Sequence, residues 1–190
     1  MPMIHLPVQS GSNKILERMN RKHTIEDYLE LINNLREINS KIQFSSDFII
    51  GYPGETNKDF EDTLKLIKQI KFINSYSFIY SSRPGTPASK MENVKNNISK
   101  DRLVIFQKEA ENIKNEFRKK LFNKISIVLF ENKVGDKNEY FGRDEFSNSV
   151  IVESKTNLKG KIKEVKIIGG NHNKLYGEVY QKTEEKEFAA

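Results

Sequence analysis

The sequence contains no cysteine among its 190 residues. The chain can therefore form no disulfide, supply no thiolate nucleophile and offer no cysteine ligand to zinc or to an iron–sulfur cluster. Its histidines, His5, His23 and His172, lie far apart, and no two of them have the spacing of a metal site. Any metal chemistry that involves this chain would have to be supplied from elsewhere.

A long hydrophobic run is also missing. No apolar stretch approaches the roughly 20 residues that a membrane-spanning helix needs. Residues 1–8 lack the basic segment followed by a long apolar one that marks a signal peptide. We therefore expect a cytoplasmic protein with no membrane partner.

Positive charge is concentrated in the C-terminal third of the chain. Residues 1–117 hold 17 Lys or Arg against 15 Asp or Glu, whereas residues 118–182 hold 14 against 8 and the tail from residue 183 holds one against three. Such an excess favours a polyanionic partner, with nucleic acid first, although a merely soluble basic surface is the alternative.

The first part of the chain alternates strands and helices about three times. Strand-like segments cover residues 3–8, 42–50 and 75–81, and Ser12, Thr24, Thr56 and Ser99 each precede a helical pattern as candidate N-caps. This alternation predicts a parallel sheet with helices packed outside it. Three units cannot close a barrel, which needs roughly eight strands in its standard form. Residues 1–121 are therefore expected to be part of a larger α/β barrel that ends in a long helix.

The second part reads as a small β-barrel. Five short strand-like segments, separated by turn residues, cover residues 125–130, 140–142, 149–152, 162–168 and 175–180. Regular short strands of this kind predict a five-stranded antiparallel barrel over residues 122–183. The charged tail 184–190 is expected to lie outside it.

Three segments at strand ends carry candidate functional residues. The first offers Gln9 and Ser10, the second Asp47 and Glu55, and the third Arg83. Each segment also has a structural reading: a glycine turn before a helix cap, a Pro-Gly turn in which Glu55 faces a helix dipole, or an ion pair of the arginine. Asp47 stands out because a carboxylate inside an apolar strand needs partners.

In their order and spacing these segments resemble a known family. The runs HLPVQSGS (5–12), DFIIGYPGET (47–56) and YSSRPGTPA (80–88) resemble the C-terminal half of the radical S-adenosylmethionine methylthiotransferases, in the MiaB-type branch that modifies tRNA. The branch that acts on a ribosomal protein differs at positions 81–85. The C-terminal strands resemble a TRAM domain, an RNA-binding module. The resemblance implies a partial TIM-type radical-SAM barrel followed by that module.

The resemblance also implies a reaction and its cofactors. Members of the family add a methylthio group to isopentenyl-adenosine beside the tRNA anticodon, using S-adenosylmethionine and [4Fe-4S] clusters. The cluster cysteines of the family lie upstream, so the resemblance implies tRNA and a missing N-terminal part of the same enzyme as partners, a parent enzyme that is monomeric, and inactivity of this chain alone.

Site residues follow from the resemblance as expectations. Gln9 and Ser10 would contact the polar edge of the cofactor, Ile50 and Gly51 would pack near its adenine, and Asp47, Glu55 and Arg83 would line the site. No residue is assigned as a catalytic acid or base. In the small barrel the predicted phosphate contacts are Lys159, Lys161, Lys163 and Lys166. Tyr140 and Tyr176 are candidates for base stacking or for the core, and Phe141 is expected in the core.

Two other readings stay open at this point. The chain could be an RNA-binding module without catalysis, as the charge of residues 118–182 suggests. It could also be a relative of the methylthiotransferases that modify a ribosomal protein. Binding of tRNA and substrate preference would separate these readings.

Overall fold

The computed structural model describes residues 2–135 and 138–181 in two compact units, which divide between Glu116 and Phe117. The predicted charged tail 184–190 lies outside the described residues. Within the described ranges, no helix is both long and apolar enough to cross a membrane. The first unit contains the following elements: β1 (Met3–His5), α1 (Asn13–Arg18), α2 (Ile25–Ile38), β2 (Gln43–Ile50), α3 (Asn57–Ile70), β3 (Asn74–Ile79), a short 3-10 helix (Pro87–Lys90) and most of α4 (Asn96–Lys119), whose last three residues belong to the second unit.

Side-chain caps begin the first three helices as the sequence predicts. The hydroxyl of Ser12 accepts a hydrogen bond from the backbone of Ile15, and Thr24 forms a reciprocal capping box with Asp27. The fourth cap was predicted wrongly. α4 begins at Asn96, one turn earlier than expected, and Ser99 is buried inside its first turn.

The cap of α3 is joined to α1 by Asp59. This carboxylate accepts hydrogen bonds from the Thr56 backbone at 2.8 Å and hydroxyl at 2.6 Å, from the Ser12 hydroxyl at 2.7 Å and from Lys14 Nζ at 2.8 Å. Burial alone would raise the pKa of Asp59, but the bonds from Lys14, Thr56 and Ser12 outweigh it and hold that pKa well below its usual range.

Replacing Asp59 by asparagine is expected to lower the free energy of unfolding at pH 7 by about 1–2 kcal/mol, since it weakens the cap and the ion pair. A carboxylate whose pKa is lowered by folding stabilises the fold fully at pH values above 3.8, the ordinary pKa of aspartate. This contribution is lost as the pH falls below that value. Urea unfolding from pH 7 down to pH 2 should therefore show wild type and variant converging. Asp27→Asn, at the exposed cap of α2, is the matched control and should have a smaller effect. A constant difference at every pH would contradict the assignment.

The sheet of the first unit has the strand order β1-β2-β3 and is parallel throughout, as predicted. Alternate residues of β2 face opposite sides. Phe44, Phe48 and Ile50 are fully or almost fully buried in the apolar core beneath the helices. Ser45, Asp47 and Ile49 therefore belong to the opposite face, which we call the open face of the sheet.

The second unit is a closed five-stranded barrel in the order β4-β5-β6-β8-β7. Its strands are β4 (Ile125–Val134), β5 (Glu139–Arg143), β6 (Ser149–Glu153), β7 (Ile162–Gly170) and β8 (Leu175–Val179). The prediction of a five-stranded barrel is confirmed, but the fully antiparallel arrangement is wrong because β6 and β8 pair in parallel. Phe117, in the last turn of α4, and Phe122, just after that helix, pack against the barrel core.

Candidate functional site

The open face of the sheet carries a cluster of polar and aromatic side chains. His5 Nδ1 lies 2.9 Å from Ser45 Oγ, and His5 Nε2 lies 3.6 Å from Asp47 Oδ1. The ring of Tyr76 meets the imidazole edge-on at a centroid distance of 6.0 Å. Sequence analysis selected Asp47 but missed His5 and Tyr76. The period-two pattern of the strands is the signal that could have found them, because it puts all three on one face.

Asp47 lies on this open face and not among buried apolar side chains. Its side chain is 33% exposed, and its register partner on β3 is Tyr76. The carboxylate is therefore reached by solvent and by a ligand above the sheet. Its predicted place in the site stays open to test.

Gln9 lies just beyond β1 in a left-handed backbone conformation, with φ 76°. Its amide N–H donates to the carbonyl of Asp47 at 2.9 Å, and its carbonyl accepts from Ile49 at 2.9 Å. Strained non-glycine residues of this kind persist where the surrounding structure holds them, and they cluster at functional sites. Gln9 is only 8% exposed, and within the described residues its side-chain amide forms no hydrogen bond.

Glu55 has a structural role in a buried ion pair, and its predicted contact with a cofactor stays a prediction. Its side chain is only 2% exposed and forms an ion pair with Arg102 at 2.7 Å. The same carboxylate accepts the backbone N–H of Gly51 at 3.1 Å, and Arg102 also donates to the carbonyl of Glu55 at 3.2 Å and to Asn57 Oδ1 at 2.8 Å. Burial raises the pKa of Glu55, and Arg102 and the Gly51 amide oppose that rise.

Ser10 and Ile50 also have buried side chains, and their predicted places near the cofactor stay predictions. The Ser10 hydroxyl is buried and accepts the backbone N–H of Ser12 at 3.2 Å, with Thr63 Oγ1 at 3.5 Å. The side chain of Ile50 is fully buried in the core beneath the helices. Neither side chain can touch a ligand on the open face.

Gly51 is needed for the close approach of α4. It has a φ of 72°, and a Cβ at this position would lie 2.2 Å from Ser99 Oγ. Its backbone also lines a cavity of about 180 Å³ together with Tyr80, Ser82 and Asn96. The buried hydroxyl oxygen of Tyr80 has no hydrogen-bond partner among the described residues. The predicted proximity of Gly51 to an adenine thus remains a prediction.

Arg83 lies in the exposed loop after β3. Its backbone carbonyl accepts from the Thr86 hydroxyl at 2.8 Å, while the described residues provide no ion pair for its guanidinium. The head group is therefore free to bind a carboxylate or a phosphate. This predicted role also stays open.

A larger depression of about 590 Å³ lies among α1, α2 and α3. Lys14, Asp59 and Lys65 belong to its walls, but none of the predicted site residues lines it. Among its charged groups, Lys14 pairs with Asp59 at 2.8 Å and Lys58 with Asp62 at 3.7 Å. The depression therefore provides no evidence for the predicted site.

The barrel exposes the lysines that were predicted to contact phosphates. Lys159, Lys161 and Lys163 are exposed on β7 and the loop before it, and we call these three the lysine edge. Lys166 is also exposed, but it lies opposite Glu178 of β8, which offsets its charge. The lysine edge is thus the better candidate for phosphate contacts, which stay a prediction.

The two tyrosines of the barrel face different ways. Tyr176 is exposed, with the ammonium of Lys174 5.4 Å from its ring centroid, so it remains available for stacking. Tyr140 is buried in the barrel core, which contradicts its predicted contact with RNA. Alternation along β5 instead turns Phe141 outward, where Arg143 lies 5.5 Å above its ring, so the prediction of Phe141 in the core was also wrong.

The chemistry of the side chains decides which cofactor they fit. With no cysteine in the chain and no cluster of three or more potential metal ligands in the described part, the chain does not fit an iron–sulfur cluster. The amide of Gln9, the carboxylate of Asp47 and the guanidinium of Arg83 suit the polar groups of S-adenosylmethionine. The cavity of about 180 Å³ beside Gly51 is smaller than the roughly 300 Å³ of ordinary ligand pockets, and none of these three residues lines it.

Comparison with known proteins agrees with the motifs at the strand ends. Residues 1–67 match the model of the Radical SAM superfamily. A tRNA-2-methylthio-N(6)-dimethylallyladenosine synthase of Pelagibacter ubique is 52% identical over 98% of the chain, which covers 42% of that relative. Relatives with the same name from Wolbachia pipientis and Rickettsia felis are 44% and 45% identical over 93% and 94% of the chain, and 41% of each is covered.

The chain thus spans about two fifths of the length of the curated relatives that it matches. The superfamily implies S-adenosylmethionine and a [4Fe-4S] cluster as cofactors, and this chain contains no cysteine to ligate the cluster. Along almost its whole length the chain is thus similar to part of the tRNA-2-methylthio-N(6)-dimethylallyladenosine synthases, and its first 67 residues match the model of the radical SAM superfamily.

Proposed function

We propose that this chain is the C-terminal portion of an enzyme that adds a methylthio group to N(6)-dimethylallyladenosine (isopentenyl-adenosine) in tRNA. The observation that carries the proposal is identity of 44–52% to the named synthases over 93–98% of the chain. The substrate tRNA, the cytoplasmic location and the N-terminal part that carries the cluster cysteines belong to the same proposal.

The two units would divide the work of the enzyme. The open face of the sheet, with Gln9 and Arg83 at its edge, would form one wall of the site for S-adenosylmethionine and the reacting base. The barrel would hold the tRNA through the lysine edge and Tyr176. The cofactor and clusters would supply the radical chemistry, while this chain would bind and orient.

Reconstitution of the purified chain with iron and sulfide is expected to yield no cluster, because the sequence offers no thiolate ligand. Iron and sulfide analysis with absorption spectroscopy would measure this, and the full-length relative of Pelagibacter ubique is the positive control. Stoichiometric iron and sulfide on the chain alone would contradict the proposal that cluster ligands lie in a missing part.

A non-catalytic RNA-binding module is the second candidate, favoured by the positive charge of residues 118–182. Both candidates predict salt-dependent tRNA binding, and only the first predicts that completing the chain creates an enzyme. A chimera that joins this chain to the uncovered part of the Pelagibacter ubique relative tests this. Incubation with tRNA and with ribosomal protein would separate the two methylthiotransferase branches.

A further inference from the structure

We propose that Arg118 is a positioning residue for tRNA binding, because it holds residues 171–174, the β7–β8 turn, which carries Lys174 next to Tyr176. The inference rests on the proposed function, in which the barrel binds tRNA, and it names how one of the contacts is held in place. The lysine edge lies at the start of β7, whereas this turn follows its end, so the two contacts are separate.

Arg118 joins two loops of the barrel, although it lies in the last turn of α4. Its side chain is buried, and its Nε donates to Asn148 Oδ1 at 3.1 Å, in the loop between β5 and β6. One Nη nitrogen donates to the carbonyl of His172, and the other donates to the carbonyl of Asn173 at 3.5 Å. The planar guanidinium therefore binds both loops at once.

The side chain of Asn148 is fixed from its other side by Asp144. This carboxylate accepts Nδ2 of Asn148 at 2.9 Å and the backbone N–H groups of Asn148 at 2.8 Å and Phe146 at 2.9 Å. Because the amide nitrogen of Asn148 is bound to a carboxylate, its amide oxygen faces Arg118. Asp144 and Asn148 are both buried, so Arg118 is held against a buried, hydrogen-bonded support.

The β7–β8 turn holds a cation against an aromatic ring. Asn171 Oδ1 accepts the backbone N–H groups of Asn173 at 2.9 Å and Lys174 at 3.0 Å. Nδ2 of Asn171 donates to the Tyr176 hydroxyl at 3.4 Å, and Nζ of Lys174 lies 5.4 Å from the centroid of that ring. An ammonium group beside an aromatic ring suits a phosphate and a base of one RNA strand.

The hydrogen bonds of Arg118 restrain the backbone of this turn. Among the described residues, Arg118 is the only donor to the carbonyls of His172 and Asn173. Burial of a guanidinium is costly, and here its donors are used on loops and not on the apolar core of the barrel. A turn that already has its bound shape loses less entropy on binding, which increases affinity. Arg118 is buried with its donors occupied, so it acts through the turn and not by binding phosphate itself.

Amide NMR of the unaltered 190-residue chain tests the inference without any variant. We expect the amides of the β7–β8 turn to have order parameters near about 0.85, the value of a rigid backbone. Addition of tRNA from a host without its own methylthiotransferase should shift the amide signals of Lys174 and Tyr176. Order parameters below about 0.6 in the free chain, or the absence of any tRNA-induced shift in this turn, would overturn the inference.

A double-mutant cycle separates positioning from a general effect on the fold. Arg118→Met should weaken tRNA binding about tenfold in the unaltered chain. In the double variant Lys174→Ala, Tyr176→Leu the same replacement should weaken it less than about twofold, because the side chains through which Arg118 acts are gone. Arg118→Lys, which keeps the charge but not the planar group, should lose less affinity than Arg118→Met. Equal losses in the two backgrounds would overturn the inference.

Arg36→Met is the matched control for the cycle. Arg36 also donates to a backbone carbonyl, that of Ile70 at 2.6 Å, but it belongs to the first unit. Its replacement removes the same charge and should leave tRNA affinity unchanged. A loss equal to that of Arg118→Met would show an effect of net charge alone and contradict the positioning role.

The outcome is independent of the test of the proposed function. Coupling between Arg118 and the turn, together with an inactive chimera, would support the positioning role and count against the proposed reaction. An active chimera, together with equal losses in the two backgrounds, would support the reaction and overturn the inference.

Discussion

Replacing Glu55 by alanine is expected to lower the free energy of unfolding by about 3–5 kcal/mol, the usual effect of removing one partner of a buried ion pair. The replacement leaves the guanidinium of Arg102 buried without its carboxylate, since the pair is 2.7 Å apart with both side chains almost fully buried. It also removes the acceptor for the backbone N–H of Gly51. The turn between β2 and α3 therefore loses both contacts of the Glu55 carboxylate.

Urea unfolding of wild type and variant would measure this effect. The double variant Glu55→Ala, Arg102→Met should regain part of the loss, because it no longer leaves a buried charge unpaired. Lys58→Ala breaks the exposed pair with Asp62 at 3.7 Å and is the control, with an expected change below about 1 kcal/mol. If Glu55→Ala behaved like the control, the structural role assigned to Glu55 would be wrong.

Replacing Lys159, Lys161 and Lys163 together by alanine is expected to weaken tRNA binding by roughly 10- to 100-fold at low salt. Each lysine that contacts a phosphate contributes about one unit to the slope of log affinity against log salt, so the slope should fall by about three. The three side chains are exposed on one strand and its preceding loop, so the loss of fold stability should be small.

Filter binding or mobility shifts over a range of salt would give both quantities. The matched control removes the same charge from the first unit, as Lys41→Ala, Lys100→Ala and Lys108→Ala, all at exposed positions. Its slope should change little if binding is localised on the barrel. Equal losses in the two triple variants would show that only the net charge matters and that the lysine edge is not a site.

Local signals were enough to predict most of the secondary structure. The capping boxes at Thr24 and Thr56 and the short strands after residue 124 depend on neighbours along the chain, and the structure confirms these elements. The predicted helix start at Ser99 was wrong because a contact with a distant part of the chain determines the place of this residue. Its small side chain is used to fit α4 against Gly51, and this contact is invisible along the sequence.

The candidate site was harder to predict because it depends on register between distant segments. His5 and Asp47 approach each other only because β1 pairs with β2 in one particular register, in which paired residues such as His5 and Ser45 are 40 positions apart in the sequence. Tyr140 and Phe141 show how sensitive such a prediction is. A shift of one residue along β5 exchanges the side chains that face the core with those that face outward. Glu55 could be recognised as a structural residue only once its partner Arg102, 47 residues away, was located.

The nucleosides of tRNA made in the presence of the chimera provide the most direct test of the proposed function. The chimera would be expressed in a host without its own methylthiotransferase, and digested tRNA would be analysed by mass spectrometry. Conversion of N(6)-dimethylallyladenosine to its 2-methylthio derivative is the predicted result, and replacing the cysteines of the added part should abolish it. Unconverted nucleoside from a folded chimera with its clusters bound, under conditions where the full-length relative is active, would contradict the proposal.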